Sequence, residues 1–162
     1  MDNRIRYSAT AKILEVIGWL ALAVLILIPA FWHSRLPEQI PTHFGFSGLP
    51  DDYSGKAAIW ALPVVGTFLF LLLSAINLFI VARPPLNPKL KPQELSMLPK
   101  IILLMQLLKT LLILAFVYIV MQAIRVSNGE ATGLGAWFLP VFIGLMLILP
   151  PVFLVWGRRR PM

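Results

Sequence analysis

The sequence predicts an all-α integral membrane protein with four transmembrane helices and an ordered extracytoplasmic loop between the first two. Three observations carry that expectation. First, 59% of the 162 residues are hydrophobic and only 13% are charged, more apolar surface than a water-soluble core of this size can hide but a composition that lipid solvates directly. Second, the apolar residues fall into four runs of membrane-spanning length, 13–32, 57–82, 98–124 and 136–156. Third, the basic residues cluster beside those runs, which is how membrane proteins encode orientation.

The opening polar stretch, with Arg4, Arg6 and Lys12, leads into the first run. That run has the length of a span rather than of a signal-peptide core, and bulky Phe31 and Trp32 follow where small residues would mark cleavage, so it is expected to remain as helix one. The second run ends at a proline-dense basic stretch, Arg83 to Pro92. Proline lacks the amide donor and fixes φ, so an extended connector is expected there. The third run ends at the turn signal Ser127-Asn128-Gly129-Glu130, and the fourth stops at Arg158-Arg159-Arg160. The chain thereby divides into residues 1–82, a basic connector at 83–97 and a second helical pair at 98–162.

Counting Lys and Arg orients the bundle. Arg4, Arg6, Lys12, Arg83, Lys89, Lys91, Lys100, Arg158, Arg159 and Arg160 fall on one side, against Arg35, Lys56 and Arg125 on the other. The positive-inside rule then puts both termini in the cytoplasm and residues 33–56 outside. Trp32, Trp60 and Trp137 at the outer ends of their helices, and Trp156 at an inner end, fit an aromatic belt. The net charge of +7 is thus an orientation signal and not the footprint of a nucleic-acid partner. With no cysteine, disulfides and thiol chemistry are excluded.

Lys109 is the one basic residue left over. At 1.5 Å per residue it lies roughly 13 Å beyond Lys100, deep in the third run, where an unpartnered lysine costs about 2.5–3.5 kcal/mol. Gln106 shares its helical face, and Glu15 and Asn77 lie in the same half of the membrane. A polar cluster of Glu15, Asn77, Gln106 and Lys109 that fixes the bundle is therefore expected, with an ion or proton relay as the alternative role. On the second run Pro63, Gly66, Thr67, Phe70, Ser74 and Asn77 share one face, a packing stripe that lets helices approach closely.

In the outer segment Pro37 and Pro41 force Leu36 and Ile40 into extended geometry, while Gly45, Gly48 and Pro50-Asp51 supply turns. Leu36, Ile40, Phe44, Phe46 and Tyr53 are expected to close a small apolar patch or lie against the outer leaflet. His33 and His43, with Glu38, Asp51 and Asp52, match no established ligand spacing, so no metal and no cofactor are expected. His43 is expected to organise the loop by hydrogen bonding. No nucleophile stands beside a base in any recognisable motif, so a non-enzymatic protein is expected.

The pattern Leu36-Pro37-x-x-Ile40-Pro41-Thr42-His43-Phe44, then Gly48-x-Pro50-Asp51 and Gly55-Lys56 directly before a span, resembles bacterial membrane proteins carrying the domain of unknown function 1648. The same domain begins proteins similar to the immunity protein against the sporulation-delaying toxin. What the resemblance implies is a small protein of the bacterial inner membrane whose outer loop meets a secreted peptide or an envelope protein. Those relatives tend to be longer, with more spans. The alternative is a transporter-like or ion-coupled component using Lys109 and Glu15.

Overall fold

A computed structural model describes residues 8–82 and 92–159. The element order is α1 (Ala9–Trp32), a short 3-10 turn (His33–Arg35), β1 (Gln39–Phe44), β2 (Pro50–Gly55), a second 3-10 turn (Lys56–Trp60), α2 (Ala61–Ala82), α3 (Pro92–Ser127) and α4 (Phe138–Arg159). Arg4, Arg6, Arg160 and the proposed extended stretch at 83–91 lie outside the described residues.

Three helical stretches are long and apolar enough to cross a membrane: Ala9–Arg35, Lys56–Val81 and Met97–Ser127. The fourth apolar stretch, Phe138–Phe153, is shorter. The apolar surface anticipated from composition is visible in the burial. Leu20, Leu27, Val64, Phe68 and Leu147 all turn large apolar side chains outward on their helices, a surface that water would penalise heavily.

Local chemistry explains the helix ends. Ser8 caps α1, its hydroxyl accepting a hydrogen bond from the Ala11 amide at 3.1 Å. α1 therefore starts before the apolar run, at Ala9. α3 likewise starts at Pro92, inside the expected connector, because proline is preorganised for the first helical turn, where its missing amide costs nothing.

α3 is the longest helix and the element on which the others pack, with α1, α2, α4 and β1 all against it. Leu22, Leu25, Phe70, Ile113, Val120 and Ile124 form the core. Close approach depends on glycine at two positions. A Cβ on Gly18 would sit 2.9 Å from the Phe70 ring, and one on Gly66 would sit 2.8 Å from Leu25 and 3.1 Å from Phe116. Such contacts supply the packing that holds helices together in lipid, where apolar burial drives little association. The α2 stripe meets the core along its length, with Pro63, Gly66, Phe70 and Asn77 buried.

The segment between α1 and α2 corrects the all-helical expectation. Residues 39–55 form an antiparallel hairpin, with Gln39 opposite Gly55, Ile40 opposite Ser54, Pro41 opposite Tyr53 and Phe44 opposite Pro50. The register is irregular on both sides of His43. Prolines in a run ordinarily argue against a strand, but in a sheet of two strands each has an unpaired side where a missing amide is tolerated. Three of the five apolar side chains assigned to the outer patch are drawn under the hairpin: Leu36 and Ile40 join the core and Phe44 packs on it. Phe46 and Tyr53, 88% and 51% exposed, do not.

Candidate functional site

Two places concentrate polar side chains. In the bundle, Lys109 is 1% exposed and donates to Glu15 Oε2 at 2.7 Å and to Ser74 Oγ at 2.7 Å. Its ammonium also lies 4.2 Å from the centre of the Phe70 ring, a cation–π contact. Glu15 in turn accepts from Trp19 Nε1 at 3.0 Å, and the Trp19 ring meets Phe70 edge-on at 4.8 Å. Beside the pair, the Thr110 hydroxyl donates to the Leu14 carbonyl at 3.1 Å, tying α3 to α1. One lysine thus joins three helices, and each charged group has a partner.

The composition of this centre differs from the cluster expected from sequence. Glu15 and Lys109 come together, but Asn77 and Gln106 bond to neither. Both are buried, and Asn77 Nδ2, Asn77 Oδ1 and Gln106 Oε1 have no hydrogen-bond partner among the described residues. Ser74 takes the place assigned to Asn77. α2 and α3 run antiparallel, so the serine falls level with Lys109 and the asparagine about one turn further toward the end that carries residue 8. Ser74 lies on the same stripe as Asn77, so the sequence marks its face and not its level.

The second place is the hairpin. At its base Lys56 Nζ donates to Glu38 Oε1 at 2.8 Å, and the Lys56 amide donates to the Glu38 carbonyl at 3.0 Å. The hydrogen bond and charge of Lys56 hold the Glu38 carboxyl below its usual value. Near the tip, His43 Nδ1 lies 2.5 Å from Asp51 Oδ1, a bond across the irregular part of the ladder. Thr42 and Ser54 hydroxyls pair beside it at 3.3 Å. His43 and Asp51 are both largely exposed. No three metal-ligating side chains gather among the described residues.

The tip is docked onto the α3–α4 loop by backbone. Gly48 adopts φ +77 and its carbonyl accepts from the Leu134 amide at 2.7 Å. A Cβ on Gly133 would lie 2.1 Å from that Gly48 oxygen, so only glycine fits. The loop is held from the other side by α3, through Tyr118 Oη to the Leu134 carbonyl at 2.7 Å and Gln122 Nε2 to the Gly133 carbonyl at 2.8 Å. Sequence reasoning placed a turn at Gly48 but not this contact, which joins residues far apart in the chain. Of the remaining motif residues, Pro37 and Gly55 are exposed, while Pro41 is buried and Pro50 half-buried.

The fold is that of an apolar helical bundle with helices of membrane-spanning length and a hairpin folded over one end. Residues 19–67 match the family described as a domain of unknown function, DUF1648, a span that covers the hairpin, most of α1 and the start of α2. An uncharacterised protein of the archaeon Archaeoglobus fulgidus is 33% identical over 79 residues. The shared region is 47% of this chain and 43% of that relative, so the chain spans less than half the relative's length. No solved structure matches.

Proposed function

We propose that the chain is a four-span protein of the bacterial inner membrane, with both termini cytoplasmic, whose hairpin binds an extended segment of a secreted peptide or envelope protein. The reading is non-enzymatic and of the immunity type. The observation that carries it is the way the hairpin is held. β1 packs on α3, the tip is pinned by Gly48 to Leu134, and β2 is exposed from Asp51 to Gly55. A braced hairpin with an exposed strand suits strand addition, in which main-chain bonds give affinity and outward side chains such as Phe46, Leu49 and Tyr53 give selectivity.

The test is a deletion strain challenged with secreted antimicrobial peptides and complemented with wild type or with the double variant Phe46→Ser, Tyr53→Ser. Protection by wild type and not by an equally abundant double variant is expected. Equal protection by both, or no sensitivity on deletion, would overturn the reading. Orientation is tested by single cysteines in this cysteine-free chain, with labelling from outside expected at Ser47, Ser54 and Ser127 and not at Asn87.

A second reading, an ion-coupled component built on Lys109 and Glu15, draws support from the buried Asn77 amide and Gln106 Oε1, which have no hydrogen-bond partner among the described residues. It predicts that Lys109→Met abolishes ion flux into proteoliposomes at unchanged abundance.

A further inference from the structure

α2 and α4 both lie against α3 but make little or no contact with each other. Between them, on the face of α3 formed by Ile119, Val120 and Ala123, is a cleft of about 290 Å³ roofed by β1. Its walls are apolar, with Leu62 from α2 and Leu139 from α4. It is about twice the size of an apolar cavity that holds benzene. The cleft is partly open, and the helices that flank it carry outward-facing Val64, Phe68 and Val141. The opening lies at the level of the first turns of α2 and α4, between helices that carry this apolar surface.

Polar groups stand only on the β1 side, where Thr42 and His43 line the rim. His43 Nδ1 is engaged by the Asp51 carboxylate, which leaves Nε2 for a further hydrogen bond. Asp51, bonded to His43, and Asp52, opposite His43 in the ladder, put two carboxylates next to this rim. The nearest hairpin cation, Lys56, is engaged by Glu38, and Arg35 lies over Phe31 at 4.1 Å. Such a rim favours a head that donates hydrogen bonds and repels a carboxylate or phosphate.

We propose that this cleft binds a membrane amphiphile through one alkyl chain, with a hydroxyl or ammonium head at His43 and Asp51. The cleft lies beneath β1, and of the β2 residues used by the peptide-binding reading it shares Asp51 alone, so loss of Phe46 and Tyr53 is expected to leave cleft labelling unchanged.

The test places the full chain in phosphatidylcholine nanodiscs with 1-dodecanol or dodecanoic acid carrying a mid-chain diazirine, followed by photolysis and mass spectrometry of peptides. Labelling of the segments containing Leu62, Val120 and Leu139 is expected, competed by unlabelled 1-dodecanol, with the alcohol favoured over the carboxylate by about tenfold. Ala58→Phe, which fills the cleft, is expected to cut the labelling. The pair His43→Ala, Asp51→Asn, both exposed, is expected to bring the two probes to parity. Labelling as strong in the α1 segment containing exposed Leu20 and Leu27, or not competed in wild type, overturns the site whether or not Ala58→Phe folds. Wild-type parity between the probes overturns the assigned head chemistry.

Discussion

Removing Glu15 isolates the charge that joins three helices. In Glu15→Ala, Lys109 keeps the Ser74 hydroxyl and the Phe70 ring but loses the one carboxylate that pairs with it among the described residues, and a side chain that is 1% exposed has no direct route to water. Breaking a buried pair on one side costs about 3–5 kcal/mol, and placing an unpaired lysine at membrane depth costs about 2.5–3.5 kcal/mol on insertion scales. Glu15 itself is partly exposed, which favours the low end, so the expected loss is about 3 kcal/mol, roughly two orders of magnitude in the folded-to-unfolded ratio. The double variant Glu15→Ala, Lys109→Met is expected to recover most of that loss, because an apolar pair of similar volume needs no desolvation. Exchanging the two charges is expected to recover less, since a lysine at position 15 would face the Trp19 indole N–H, a donor, in place of the acceptor now there. The assay is reversible unfolding of the purified protein in mixed micelles, following Trp fluorescence. A loss below about 1 kcal/mol for Glu15→Ala, in the range of exposed ion pairs, would refute the reasoning, as would a double variant less stable than the single one.

Two further outcomes follow from the hairpin. Gly48→Ala combines a left-handed backbone, costing about 1–2 kcal/mol for a side-chain-bearing residue, with a Cβ only 2.6 Å from the Gly135 carbonyl oxygen. Faster hydrogen exchange is expected at the Leu134 and Gly45 amides and unchanged exchange in α1. For Glu38 the sign follows from its lowered carboxyl. Its contribution is present above the ordinary carboxylate value of 4.5 and is lost as pH falls through the lower folded value. Protection of the Lys56 amide, its exchange measured against the intrinsic rate at the same pH, should therefore fall on acidification below that value in wild type, and Glu38→Gln should show the lowered protection already at neutral pH.

The helices were legible from sequence because their signal is local. A run such as 13–32 must be solvated by lipid or by protein wherever it lies, and Lys109 stands out because nothing near it in the chain is charged. Its pairing with Glu15 was also within reach, since a lysine at that depth needs a carboxylate and few are available. The strands were not legible. Pro37, Pro41 and Pro50 hide the alternation that marks a strand, and the register is broken around His43.

The sequence by itself determined which segments are apolar helices, that the segment between the first two is extended and turned, and that Lys109 needs a partner. Tertiary structure alone decided that the third ligand of that site is Ser74 and not Asn77, because the level at which two antiparallel helices meet depends on packing at Gly18, Gly66 and Phe70. It also decided that Gly48 and Gly133 meet backbone to backbone. Such a contact leaves no mark in the stretch around Gly133, which must be glycine because the Gly48 carbonyl lies against it, whereas Gly48 answers to its own φ of +77 and to the nearness of Gly135.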